Sequence, residues 1–118
     1  MRFMSGLAAA VAVLAIAGTA SAHPKLLTST PAADAMLTAS PPQVSITFNE
    51  SLSRTLSGIE LKDSAGKVVP TKAATPANDK TITATVSARL APGTYEVDWH
   101  AVATDSHRVT GKYTFMVH

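Results

Sequence analysis

Alternation of apolar and polar residues with a period of two is the feature that most constrains this chain. The clearest run is Tyr95-Glu96-Val97-Asp98-Trp99. Because successive side chains of a strand point to opposite faces, this run predicts a strand with one buried face. Similar strands are predicted at 44–48, 59–61, 81–86 and 112–117, with short ones at 26–27 and 68–69. No stretch keeps a helical period, and one loose turn at 31–36 is all that we expect.

Turn-forming residues separate these runs at regular intervals. The stretch Asp63-Ser64-Ala65-Gly66-Lys67 predicts a hairpin turn, and Leu90-Ala91-Pro92-Gly93-Thr94-Tyr95 suits a tyrosine corner. Trp99, the only tryptophan, is the natural candidate to fill the core. About seven short strands therefore predict an all-β protein, a single two-sheet Greek-key β-sandwich of cupredoxin-like or immunoglobulin-like type.

The first 22 residues have the form of a cleavable secretory leader. Arg2 supplies a positive charge, Leu7 to Ala17 is apolar, and Ala20-Ser21-Ala22 is a small-x-small cleavage site. The apolar run is shorter than the roughly 20 residues that a membrane span needs. We therefore expect residues 1–22 to be a signal peptide, residues 23–118 to be the mature domain, and the protein to be exported.

Composition excludes several classes of function. Removing the leader deletes Arg2 alone among the charged residues, so the formal charge falls from +2 to +1. No run of Lys or Arg is present, which argues against nucleic-acid binding. The chain has no cysteine, so disulfides, thiolate metal sites and cysteine nucleophiles are excluded. We expect a monomer without catalytic residues.

Cleavage after Ala22 would make His23 the first residue of the mature chain. A free N-terminal histidine chelates a metal through its amine and its imidazole Nδ1. The unperturbed pKa values of these groups are about 8 for the amine and about 6.5 for the imidazole. Pro24 has no backbone N–H, so a bound Cu(II) cannot go on to displace the next amide proton. The remaining ligands must therefore come from elsewhere in the fold.

Asp105 and His107 are the best candidates for those ligands. They lie at positions i and i+2, where a strand or its end would point both the same way. Three nitrogens and one carboxylate oxygen in a square arrangement suit Cu(II), although Zn(II) would accept the same atoms tetrahedrally. Glu50 follows the first clear strand and is the candidate for an outer or weak ligand.

The other metal-binding residue types look less suited to a site. His100 alternates away from Trp99 and is expected at the surface, and His118 is expected to fray. Met36 and Met116 are far apart in the sequence. We expect Met116 to be surface or edge packing, and the pair not to form a thioether copper site.

Four pieces of the sequence, taken in order, resemble the CopC-type periplasmic copper-resistance proteins. They are His23-Pro24-Lys25-Leu26, Thr47-Phe48-Asn49-Glu50, the stretch from Leu90 to Trp99, and Asp105-Ser106-His107 with Gly111, Tyr113 and Phe115. The resemblance covers essentially all of residues 23–118. It implies a β-sandwich that binds Cu(II) through His23, Asp105 and His107, with Glu50 close to the metal.

The chain also departs from some members of that family, which carry a methionine-rich loop with an extra histidine that binds Cu(I). The corresponding stretch from Gly66 to Lys80 contains neither Met nor His. We therefore expect one Cu(II) per mature chain and no Cu(I) site. An arginine commonly follows the strand tryptophan in the family, whereas this chain has His100.

The resemblance implies a Cu(II)-binding protein of copper resistance or homeostasis, which sequesters copper or passes it to an inner-membrane partner of the CopD type. Two other functions compete with it. A histidine-brace copper oxygenase also uses an N-terminal histidine, but Asp105 would occupy a position that oxygen needs. A metal-free immunoglobulin-like interaction module would tolerate changes at all three ligands.

Overall fold

Two antiparallel-rich sheets form the fold in a computed structural model that describes residues 23–118. The nine strands are β1 Leu26–Thr30, β2 Met36–Leu37, β3 Gln43–Phe48, β4 Gly58–Lys62, β5 Val68–Val69, β6 Thr71–Ala74, β7 Thr81–Val86, β8 Gly93–Val102 and β9 Arg108–Val117. One sheet has the order β1-β3-β7-β6 and the other β2-β9-β8-β4-β5. The predicted all-β sandwich is confirmed.

The core lies between the two sheets and is built from the inward positions of the alternating runs. In β3 the buried residues are Val44, Ile46 and Phe48, and each is fully inaccessible to solvent. Val97 and Phe115 of the second sheet are equally buried. Burying one such side chain stabilises the folded state by about 1.5–3 kcal/mol. The apolar positions of the alternating runs are therefore the ones that hold the two sheets together.

The expected count of about seven strands was too low by two. β6 was missed because its sequence Thr71-Lys72-Ala73-Ala74 contains three residues of low strand propensity. β2 was missed because it is only two residues long and begins at the last residue of the stretch expected to form a loose turn. It exists only through its parallel pairing with β9.

The predicted turns are present. Asp63 N–H donates to the Lys67 carbonyl at 2.9 Å, which closes the hairpin between β4 and β5. Gly66 in that turn has a φ of 80°, a conformation that favours glycine. The Tyr95 hydroxyl donates to the Ala91 carbonyl at 2.6 Å, as expected of a tyrosine corner.

Two aromatic residues of β8 differ from expectation. Trp99 is only partly buried and packs edge-on against Phe48, with ring centroids 5.0 Å apart, so it closes one side of the core rather than filling it. His100 is half-buried rather than a free surface residue, because its ring lies over Gly58. Burial, together with the positive charge of Arg108, lowers the pKa of His100.

The predicted signal peptide over 1–22 lies outside the described residues. Between His23 and His118 the structure contains no helix that is long and apolar enough to span a membrane.

Candidate metal centre

His23 and His107 meet at one end of the sandwich, although they are 84 positions apart in the sequence. Their ring centroids are 5.0 Å apart and the rings are tilted by 57°. Strand β1, which follows His23, and strand β9, which follows His107, carry the two residues to this end. The structure thus brings together the two imidazoles that the sequence analysis selected.

A tight turn between β8 and β9 presents His107. Ser106 N–H donates to the Ala103 carbonyl, and Ala103 N–H donates to the His107 carbonyl, both at 2.9 Å. Ser106 has a φ of 76°, which is uncommon for a residue other than glycine. The turn therefore holds His107 in one orientation relative to the β8–β9 hairpin.

Asp105 holds the His107 side chain from within the same turn. Its Oδ2 lies 2.9 Å from His107 Nδ1, and its Oδ1 accepts from the His107 backbone N–H at 3.2 Å. These hydrogen bonds, the backbone one first, lower the pKa of Asp105. The carboxylate is therefore ionised at neutral pH, and with Nδ1 engaged, Nε2 of His107 remains available for a metal.

Asn49 was not among the residues expected at the site, but it holds residues 23–25, the N-terminal arm that carries His23. Lys25 N–H donates to Asn49 Oδ1 at 2.7 Å, and Asn49 N–H donates to the Lys25 carbonyl at 3.1 Å. Asparagine often bonds to backbone groups nearby in sequence, but here the partner lies 24 positions away. The contact therefore depends on the tertiary fold and not on a local sequence motif.

Glu50 lies between two residues that connect its segment to the two halves of the site, the His23 arm and the His107 turn. Asn49, just before it, is hydrogen-bonded to Lys25, and Leu52, two residues after it, bridges to Ala103 of the turn. Among residues 23–118, the buried Glu50 Oε2 has no hydrogen-bond partner. A buried carboxylate oxygen without a donor is costly unless a cation or water satisfies it, which fits a position beside a metal.

The side chains do not form a finished ligand cage. Among residues 23–118, no three His, Asp or Glu side chains converge closely enough to hold a metal ion. Asp105 is turned toward His107 instead. Each carboxylate oxygen has further lone pairs, so Asp105 can keep His107 in place and still contact a metal after a small rotation.

The donor set fits Cu(II). Two imidazoles and an ionised carboxylate are borderline and hard donors of the kind that divalent copper accepts. The side chains of Asp105 and His107 are 43% and 52% exposed, so an ion reaches them directly from solvent. Because the site opens outward, an ion bound there is also accessible to a second protein.

Residues 26–118 match the family described as the CopC domain. The chain belongs to the CopC family. The predicted family is thus confirmed over nearly the whole of the described structure.

Two relatives of known name illustrate the similarity within the CopC family. Copper resistance protein C of Escherichia coli is 37% identical over 113 residues, which cover 89% of each chain. Copper resistance protein C of Pseudomonas syringae pv. tomato is 38% identical over 109 residues, 86% of each chain. Neither name is that of an enzyme, in agreement with the expectation of a non-catalytic protein.

Solved structures of CopC family members share the fold. PcoC, a methionine-rich copper resistance protein from Escherichia coli, superimposes with a TM-score of 0.77 at 37% identity and covers 82% of this chain and 100% of its own. CopC from Methylosinus trichosporium OB3b gives 0.75 at 33% identity, covering 80% and 93%.

Proposed function

We propose that the protein binds one Cu(II) ion per chain and serves copper resistance or homeostasis in the periplasm. Export would remove residues 1–22 and leave His23 as the first residue. The observation that carries the proposal is the apposition of the His23 and His107 rings at 5.0 Å. Membership of a family with members named copper resistance proteins supports it.

Each residue has a distinct role in the proposed site. His23 supplies its amine and Nδ1 as a chelate, and His107 supplies Nε2 while Asp105 holds its Nδ1. Asp105 also supplies the oxygen ligand and its negative charge. Glu50, whose buried Oε2 has no hydrogen-bond partner in the described part of the chain, is a weak ligand or neutralises the remaining charge of the ion.

The outward-facing site suits storage or transfer of copper rather than turnover. Because Asp105 and His107 are about half exposed, a partner protein reaches the bound ion without unfolding the sandwich. We propose that the recipient, where there is one, is an inner-membrane protein of the CopD type.

Replacing His107 with alanine tests the proposed function. Cu(II) titration of the exported protein, followed by intact mass and by electron paramagnetic resonance, should give one equivalent bound with nitrogen coupling. His107→Ala should weaken binding at least about hundredfold, since even losing an outer partner of a ligand typically costs 10–100-fold. His118→Ala, at the other end of β9, is the matched control and should bind normally. Full affinity in His107→Ala would refute the site.

Removing the Asn49 side chain should weaken Cu(II) binding without removing any ligand. Asn49→Ala releases the arm that holds His23. Ordering one residue again on binding costs about 1–2 kcal/mol, which corresponds to roughly a tenfold loss of affinity.

Asp63→Ala is the matched control for the arm. It also removes side-chain bonds to backbone N–H groups, those of Ala65 and Lys67, but in the turn at the far end of β4. Isothermal titration should therefore give an unchanged Cu(II) affinity for Asp63→Ala. Equal Cu(II) affinities for Asn49→Ala and Asp63→Ala would show that the hydrogen bond from Lys25 to Asn49 does not contribute to binding.

A further inference from the structure

Met36 and Met116 are register partners in the parallel pairing of β2 with β9, although they are far apart in the sequence. Partners in neighbouring strands lie about 4.8 Å apart and point to the same face of the sheet. Their side chains are exposed, Met36 by 61% and Met116 by 39%. They are the only methionines in residues 23–118, and they stand side by side facing solvent.

The backbone beneath this pair is firmly tied. Met116 N–H donates to the Ala35 carbonyl and His118 N–H donates to the Leu37 carbonyl, both at 2.8 Å. Asp34 N–H donates to the Thr114 carbonyl at 2.7 Å. His118 is therefore held by β2 instead of fraying.

His118 adds a third donor to the same face. It follows Met116 by two residues, and positions i and i+2 of an extended chain lie on one face. Burial along β9 agrees, because Met116 and His118 are exposed while Val117 between them is buried. The neighbours of Met116 on this face are Thr94 across the register and Thr114 along the strand, which carry no charge that would repel a cation.

We propose that Met36, Met116 and His118 form a second metal site, selective for a soft monovalent ion such as Cu(I) or Ag(I). Thioether sulfur is a soft, neutral donor that prefers Cu(I), and imidazole binds copper in either oxidation state. From the sequence alone the two methionines looked too far apart to share a metal ion. The parallel register of β2 and β9 removes that objection.

This site is independent of the proposed Cu(II) centre. His107 precedes β9 and Met116 lies near its end, so the ten-residue strand separates them by about 30 Å at roughly 3.3 Å per residue. The donors also differ, since the first centre has a carboxylate and no sulfur. Each site can therefore be disabled without disturbing the other.

Silver(I), which needs no reductant, is the first probe. The full chain is expressed with 13C-labelled methionine methyl groups, recovered after export and titrated with Ag(I). The resonances of Met36 and Met116 are assigned from Met36→Leu and Met116→Leu, substitutions that keep the volume nearly constant. Both resonances should shift together and stop shifting at one equivalent. Anaerobic competition with a Cu(I) chelator then repeats the measurement with copper.

The variants decide the assignment of ligands. Met36→Leu and Met116→Leu should each weaken Ag(I) binding at least about tenfold, and His118→Gln should do the same, because loss of a metal ligand exceeds the cost of losing an outer partner. Cu(II) binding should be unchanged in all three. Stationary methyl resonances at one equivalent, movement of only one, or Ag(I) binding that disappears in His107→Ala but survives in both leucine variants would overturn the proposal.

Discussion

In the proposed mature chain, N-terminal acetylation of His23 is expected to lower the affinity for Cu(II) by at least about hundredfold. Acetylation turns the amine into an amide, which removes one donor and the chelate ring. Pro24 offers no backbone N–H that could be deprotonated in compensation. Of the four proposed donors, only the two imidazoles and the Asp105 carboxylate would then remain.

The comparison needs a variant that alters the arm but keeps the amine. Lys25→Ala serves, because Lys25 contacts Asn49 through its backbone and not its side chain. Isothermal titration with a competing chelator should give native affinity for Lys25→Ala and the large loss only for the N-terminally acetylated protein. Equal affinity in the acetylated protein would remove the amine from the ligand set.

If cleavage falls after Ala22 as proposed, export is a step in forming the site. In the uncleaved chain His23 is an internal residue with an amide nitrogen. Its side chain lies beside His107, but a free amine would exist only after removal of the proposed leader. We therefore expect tight Cu(II) binding only after cleavage, which would keep copper from being captured before the protein reaches the periplasm.

Sequence patterns predicted the strands that bury one face and failed where partners determine the structure. Runs such as Thr81–Val86 were visible because β-branched residues alternate with the core positions. β2 has no pattern of its own, and its position follows from hydrogen bonds to β9. Missing β2 also hid the neighbouring methionines, since their contact depends on that register.

The candidate site was predictable to a similar extent. His23, Asp105 and His107 were selected by donor chemistry and by resemblance, and two of them lie ring against ring. The strand-like spacing suggested that Asp105 and His107 point the same way. A turn with Ser106 at positive φ joins them instead, and Asp105 bonds to His107. The clamp by Asn49 could not be predicted because its partner comes from a distant segment.

Gly111→Ala is expected to destabilise the fold by about 1–3 kcal/mol, the range typical of overpacking a well-packed core. Gly111 lies directly opposite Trp99 in the β8–β9 register. A Cβ atom there would lie 2.7 Å from Cε2 of the indole and closer still to Cζ2. The edge-on packing of the indole against Phe48 limits how far it can move away. Glycine at this position therefore lets Trp99 lie across β9 and close the core.

Chemical denaturation followed by the fluorescence of Trp99, the single tryptophan, measures the effect directly. Thr110→Ala changes the neighbouring exposed residue and should leave stability within about 0.5 kcal/mol of the native protein. Trp99→Phe removes the indole atoms nearest the new methyl group, so circular dichroism should show that Gly111→Ala costs less in a Trp99→Phe background. Additive losses would mean that the contact between Trp99 and Gly111 is not what limits residue 111 to glycine. A coupled loss would identify the glycine as the residue that lets the β8–β9 hairpin, and with it the His107 turn, pack onto the core.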